Sequence, residues 1–212
     1  GRHIYFGSDR AGGVSSIYQK PADGSAMESV LFASTDENAV PYSLSPDGRF
    51  LLHRFMNSGA FNFGVLPLDG ERKSRVFAPS TFTQAMPEVH PGGRFVAYQT
   101  NETGPFEVML QTFPEQAGKW QVSREGGVNP VWSRDGRELV YYAGDGRLTR
   151  VPVKLEGEVA IGTPVPMFEV NLLNGPNSTV GFRRQFDWLP DGQFLLNIPV
   201  GDVESPALTL IL

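Results

Sequence analysis

The sequence contains no cysteine, which removes a disulfide framework, a thiol nucleophile and a cysteine-ligated zinc site. Charge is sparse, at 19% of residues, and no block of one sign stands out. The net charge of −5 leaves no basic face to neutralise phosphates, so nucleic acid is not expected as a partner, and the pair Arg183 and Arg184 does not change that. No apolar run reaches membrane-spanning length, so direct membrane insertion of this segment is not expected. No stretch carries a convincing helical period. A Gly-x-Ser-x-Gly elbow, a HExxH zinc motif, a Walker loop and a Rossmann glycine fingerprint are all missing. No catalytic residue, metal ligand or cofactor is therefore assigned.

What the sequence has is turn formers and aromatics: 24 Gly, 17 Pro and 15 Phe, a composition that suits many short strands. The turn formers recur in a pattern. Ser45-Pro46-Asp47-Gly48-Arg49-Phe50 returns as His90-Pro91-Gly92-Gly93-Arg94-Phe95, as Ser133-Arg134-Asp135-Gly136-Arg137-Glu138 and as Leu189-Pro190-Asp191-Gly192-Gln193-Phe194. Gly1-Arg2 before Ile4-Tyr5-Phe6 reads as the tail of another copy, so the chain is expected to start inside a larger protein. Glycine to glycine, the steps are 47, 45, 43 and 56 residues, a period that marks an array of supersecondary units. Proline presets the first corner of a turn, aspartate bonds its own backbone, and glycine accepts positive φ. Pro46, Asp47, Gly48, Gly93, Asp135, Gly136, Pro190, Asp191 and Gly192 are accordingly read as structural turn residues, with Asp47, Asp135 and Asp191 holding turns rather than catalysing or binding metal.

Cut at its turn formers, the repeat from Val40 to about Pro79 yields four antiparallel strands, and a four-stranded sheet at this period is a propeller blade. The spacing predicts an all-β chain, a β-propeller of about five four-stranded antiparallel blades in one domain over 1–212. The expected blades are 1–37, 38–82, 83–126, 127–180 and 181–212. The first lacks its opening strand and the last, ending at Ala207 to Leu212, its fourth; the expectation is an open arc with exposed sheet edges, a fragment of a larger propeller.

Blade topology sorts the loops. The motif turns share one face with the loops between third and fourth strands. The opposite face collects the loops between second and third strands and the links between blades, the longest running from Asn171 to Arg184. Binding residues concentrate in such loops, which makes Asp9, Arg10, Asn57, Asn101, Glu102, Asp145, Asn174, Asn177, Arg183 and Arg184 the candidates for a binding face. His3, His53 and His90 fall in different blades, and His90, at the serine position of its motif, reads as a turn variant. Glu102, Glu107, Asp145 and Asp202 are isolated carboxylates, expected to be solvated. Trp132 and Trp188, each ending a first strand, are expected to fill space between blades rather than to form, with Trp120, a stacking platform. The first strands read as mostly apolar, which argues against a hydrolase or lyase site in the central channel.

The Ser-Pro-Asp-Gly-Arg-Phe type of repeat resembles the TolB-like, WD-repeat-like β-propellers of bacteria. The stretch through Tyr98, Asn101, Glu102, Gly104, Phe106, Glu107 and Val108, then Phe113, Pro114, Gly118, Lys119, Trp120 and Gln121, and on through Gly126, Gly127, Pro130, Trp132 and Ser133 to Leu139, resembles the C-terminal propeller of many bacterial serine/threonine protein kinases. The resemblance implies a noncatalytic module, periplasmic or otherwise extracytoplasmic, that senses a ligand or holds a partner. A protein or peptide is the expected partner and a small ligand the second choice. The alternative is the accessory propeller that gates a prolyl-oligopeptidase-type peptidase. Gly92 for aspartate and Gln193 for arginine depart from the repeat.

Overall fold

A computed structural model of the chain describes residues 1–10, 12–35, 37–57, 59–175 and 183–199. The strands in order are β1 (His3–Ser8), β2 (Ser16–Pro21), β3 (Ser29–Phe32), β4 (Val40–Leu44), β5 (Phe50–Asn57), β6 (Ala60–Pro67), β7 (Arg75–Val76), β8 (Gln84–Val89), β9 (Phe95–Thr100), β10 (Glu107–Thr112), β11 (Lys119–Gln121), β12 (Gly127–Trp132), β13 (Glu138–Ala143), β14 (Arg147–Lys154), β15 (Ala160–Ile161), β16 (Val165–Glu169), β17 (Phe186–Trp188) and β18 (Phe194–Leu196). Among the described residues there is no helix. The strands form five antiparallel sheets in chain order: β1 to β3, β4 to β7, β8 to β11, β12 to β16, and β17 with β18. The opening strands of successive sheets touch, β4 with β8, β8 with β12 and β12 with β17, as the inner strands of a β-propeller do.

The motif turns explain the hairpins. Ser45 Oγ donates to Asp47 Oδ1 at 2.5 Å and accepts the Phe50 N–H at 2.9 Å, while Asp47 Oδ1 also accepts the Arg49 N–H at 3.1 Å. Gly48 closes the turn at φ 72°, a conformation that costs side-chain-bearing residues stability. Ser133 and Asp135 repeat the arrangement, with Oγ to Oδ1 at 2.7 Å and the Glu138 N–H on Ser133 Oγ at 3.0 Å. In the last copy Leu189 has no hydroxyl, and the closing bond slips by one residue, from Leu189 N–H to the Gln193 carbonyl.

The core lies between adjacent sheets rather than within one. Leu52, Phe63, Val65 and Phe77 of the second sheet pack with Val96, Tyr98, Met109 and Phe113 of the third. Phe95, Ala97 and Leu110 of the third meet Trp132, Leu139 and Val151 of the fourth. Each such fully buried large side chain stabilises the fold by about 2 kcal/mol relative to exposure. Trp132 does fill the gap between blades, and its indole N–H donates to the Glu88 carbonyl at 3.1 Å.

The three complete inner strands share a bulge. One extra residue interrupts pairing with the second strand between Pro41 and Ser43, between Ala85 and Glu88, and between Val128 and Val131. Counted back from each turn, the sites coincide at Pro41-Tyr42, Met86-Pro87 and Asn129-Pro130. Met86 and Asn129 adopt φ 53° and 55°, in the left-handed region that few non-glycine residues occupy. A bulge bends its strand and re-aims a side chain.

The strand plan departs from expectation in the fourth sheet. Its outer strand is split: β15 pairs with Val153 and Lys154, whereas β16 pairs with Arg147 to Arg150. β14 is long enough, at eight residues, to serve both halves. Glu107 corrects the reading of solvated carboxylates: it is 3% exposed, takes the Gly126 N–H at 3.0 Å on Oε1 and the Ser123 hydroxyl on Oε2, and so pins the link between β11 and β12. The expected third strand at Ala207 to Leu212, like Asp202, lies outside the described residues.

Candidate functional site

Several predicted binding residues are spent on local structure. Arg10 stacks over the Phe6 and Tyr18 rings and pairs with Glu28, while exposed Asp9 holds the loop with its carbonyl, which accepts the Gly12 N–H at 2.8 Å. Asn101 Oδ1 accepts the Thr83 N–H at 2.8 Å, and Glu102 pairs with Lys119. Asp145 Oδ1 accepts the Arg147 N–H at 3.1 Å in its own turn. The Asn174 N–H donates to Gln185 Oε1 at 3.3 Å. Asn57 ends β5 in the hairpin to Ala60, and Asn177 lies outside the described residues. Asp145 also lines a cleft of about 400 Å³ with Arg124, Glu125 and Tyr141, and Arg183 and Arg184 converge with other side chains on a second one.

That cleft, of about 350 Å³, opens on the inter-blade loop face between β4 and β8. It is lined by Val40, Pro41, Tyr42, Arg54, Met86, Pro87, Arg183 and Arg184. The bulges build it, because Tyr42 and Met86 both sit at bulged positions. Arg184 reaches from the link before β17 to Glu88 on β8 and forms an ion pair with it. Burial holds the Glu88 carboxyl above the usual range, and the Arg184 charge pulls it back only in part. Tyr42 and Arg54 lie side by side; Tyr42 Oη and Arg54 Nε are both buried without a hydrogen-bond partner. Burial pushes the Tyr42 phenol well above its ordinary pKa against the opposing charge of Arg54, which keeps it a protonated donor. The Arg54 guanidinium also rests 5.1 Å from the Phe61 ring centroid. Val40, Pro41, Met86 and Pro87 give the cleft an apolar wall.

Sequence reading found Arg183 and Arg184 but missed Tyr42, Arg54 and Glu88. The one available signal was register. Arg54 is the fourth residue after Phe50, where Phe95 is followed by Gln99 and Glu138 by Tyr142. Gln99 Oε1 accepts the Asn129 N–H of the next inner strand at 2.9 Å, and Tyr142 Oη donates to the Val170 carbonyl at 3.0 Å. Arg54, a donor only, cannot hold the Met86 bulge as Gln99 holds that at Asn129. Glu88 stood in a strand read as mostly apolar.

A larger cleft, of about 710 Å³, lies on the motif-turn face between the third and fourth blades. Two of its polar side chains, His90 and Asp135, are engaged in turns and across the blade seam, while Arg94, Lys154 and Glu156 also line it. His90 Nδ1 accepts the Gly92 N–H at 2.9 Å, and its Nε2–H donates to the Gly136 carbonyl at 3.0 Å; Asp135 is held in its turn. Among the described residues, no group of three His, Asp or Glu side chains is placed to hold a metal ion. No described helix is long and apolar enough to cross a membrane.

No family model and no curated protein matches the sequence. Solved structures do. The chain superposes on a TolB structure from Agrobacterium tumefaciens with a TM-score of 0.67 at 16% identity, covering 94% of this chain and 72% of that one. TolB from Acinetobacter baumannii gives 0.69 at 17%, over 95% of this chain and 47% of its own. A puromycin-hydrolyzing peptidase from Mycobacterium tuberculosis gives 0.62 at 18%, over 92% and 34%. The chain thus spans less than half of the latter two proteins. At these identities the likeness is one of fold, and with the repeated motif turns and the sheet order it establishes that the chain has the TolB-like β-propeller fold.

Proposed function

We propose that this chain is a noncatalytic scaffold or sensor propeller that binds a protein or peptide outside the cytoplasm, as part of a bacterial receptor kinase or a TolB-like protein. The observation that carries the reading is the cleft at Tyr42, Arg54, Arg183 and Arg184. Among the described residues it is a cleft lined by buried polar atoms without a hydrogen-bond partner, beside an apolar wall, the combination that binding sites use. The periplasmic assignment draws on the TolB fold, and the kinase association on the sequence between residues 98 and 142. A chain from a nidogen–laminin complex, similar at a TM-score of 0.55 and 11% identity, is an instance of a similar fold in a protein complex.

Site-specific crosslinking tests it. A photoreactive phenylalanine derivative replaces exposed Arg183 in one variant and Glu71, exposed on the opposite face, in another. The expected result in cells is a discrete adduct from position 183 and none from position 71. Equal labelling at both, or none at 183, overturns the proposal.

The second reading, a gating propeller of a prolyl-oligopeptidase-type peptidase, is favoured by the similar peptidase structures, among them prolyl endopeptidases at a TM-score of 0.55 and 14% identity. Sequencing the parent reading frame separates the two. A kinase core with one membrane span supports the sensor, and an adjoining α/β segment with a nucleophile elbow supports the gate.

A further inference from the structure

Arg54 is partly buried, has no ion-pair partner among the described residues, and keeps a buried Nε without an acceptor. Beside it the buried Tyr42 hydroxyl faces the Arg54 guanidinium and has no acceptor for its own proton. Leaving buried donors unmade is costly, and more so for a charged group, so an acceptor that satisfies both is favoured. In the third and fourth blades the equivalent side chains, Gln99 and Tyr142, are satisfied within the protein. Blade two alone among these three presents a cation there, and it faces a cleft with no acidic lining residue.

We infer that the cleft between β4 and β8 is a carboxylate-binding site, with Arg54 and Tyr42 as the paired donors and Arg183 at the rim. The charge balance selects the class. Arg184 is neutralised by Glu88, which leaves Arg54 as the one sheltered positive charge, with exposed Arg183 beside it. Because exposed Arg183 is solvated, the charge to be balanced inside the cleft is the single one of Arg54, which a monoanion matches better than a phosphate dianion. The planar guanidinium fork matches a carboxylate, and Val40, Pro41, Met86 and Pro87 suit the hydrocarbon portion that carries it. The inference rests on the binding reading of this cleft and specifies its chemistry. The carboxylate could come from a small organic acid or from the free end of a peptide chain.

The test is ligand-dependent thermal stability of the full chain at constant ionic strength, with four probes: propionate, N-acetyl-trialanine with a free carboxylate, the same peptide as its C-terminal amide, and inorganic phosphate. Binding to the folded state raises the melting temperature in a saturable way. Both carboxylates are expected to do so, the amide and phosphate not. Tighter binding of the free-acid peptide than of propionate assigns a chain end, and the reverse assigns a small acid. Arg54→Met, which keeps the aliphatic stem, should weaken affinity by about tenfold or more, Arg54→Lys by less, and Arg183→Ala only modestly. The Lys and Ala variants keep the test usable if the Met variant is poorly folded. Absence of a saturable shift with either carboxylate, an undiminished shift in every Arg54 variant, or a stronger response to phosphate overturns the inference. Failure here with persistent crosslinking from position 183 removes the carboxylate chemistry and leaves the binding reading intact.

Discussion

His90 and Gly92 show how a departure from the repeat becomes a joint between blades. Where the other motifs pair Ser45 with Asp47 and Ser133 with Asp135, this one uses an imidazole that takes the Gly92 N–H and bonds across to Gly136 of the next blade. The His90 ring also stands edge-on to Trp132 at 4.8 Å between centroids. The two departures depend on each other, because a Cβ at Gly92 would lie 3.0 Å from His90 Nδ1. Gly92→Asp alone should therefore destabilise the fold by about 1–3 kcal/mol. Adding His90→Ser, which recreates the Ser-Asp turn, should recover part of that loss. Urea unfolding of the two single variants and the double variant measures the coupling. Strictly additive effects would show that the positions act independently.

Among the elements, the inner strands decide where function can sit. Their bulges at Pro41-Tyr42, Met86-Pro87 and Asn129-Pro130 fall in register. At Asn129 the support is the Gln99 side chain of the preceding blade. Gln99→Leu removes that acceptor from a buried N–H and should cost about 1–3 kcal/mol. Asn129→Val, a β-branched residue forced to φ near 55°, should cost more than Asn129→Gly, which accepts that conformation freely. Hydrogen exchange at the β12 amides is the measurement. Equal protection in the Val and Gly variants would mean that the bulge relaxes out of the left-handed region.

For the molecule as a whole, two histidines sit where blades meet. His53 lies between the first and second, its Nδ1–H donating to the Arg54 carbonyl at 3.1 Å, its Nε2 accepting the Ser74 hydroxyl at 2.6 Å and its ring 5.1 Å from that of Phe32. His90 lies between the third and fourth. Burial holds both imidazoles below the ordinary value of 6.5, so the unfolded chain takes up their protons first as pH falls. Their contribution is complete above that value and is lost as pH drops below it. The Asp47 and Asp135 carboxyls, held low chiefly by the Ser45 hydroxyl and the Arg137 N–H respectively, contribute above their ordinary 3.8 and are lost below it. Glu88 runs the other way: its raised pKa gives back some stability as it protonates. Because Glu88 acts alike in both, the expected outcome is a urea midpoint that falls less steeply between pH 7 and pH 5 in the His90→Ser, Gly92→Asp double variant than in the parent. Equal slopes in the two proteins contradict the placement of the His90 imidazole.

The sequence by itself determined the turns, the sheets and hence the propeller. Each depends on a few adjacent residues: a Pro-Asp-Gly corner, a serine hydroxyl two positions before an aspartate, and alternating apolar side chains on either side. The split outer strand of the fourth blade was not legible, because it depends on the length of its partner β14 rather than on its own residues. The same holds more strongly for the candidate site. Arg183 and Arg184 stood out as neighbours in a long link, but Glu88 lies 96 residues from Arg184 in sequence, and Tyr42 meets Arg54 only through the pairing of β4 with β5. Whether a glutamate is solvated like its neighbours, or buried as Glu107 is, also turns on what the next blade places against it. Local backbone chemistry wrote the repeat, and only the radial packing of one blade on another chose which side chains share a cleft.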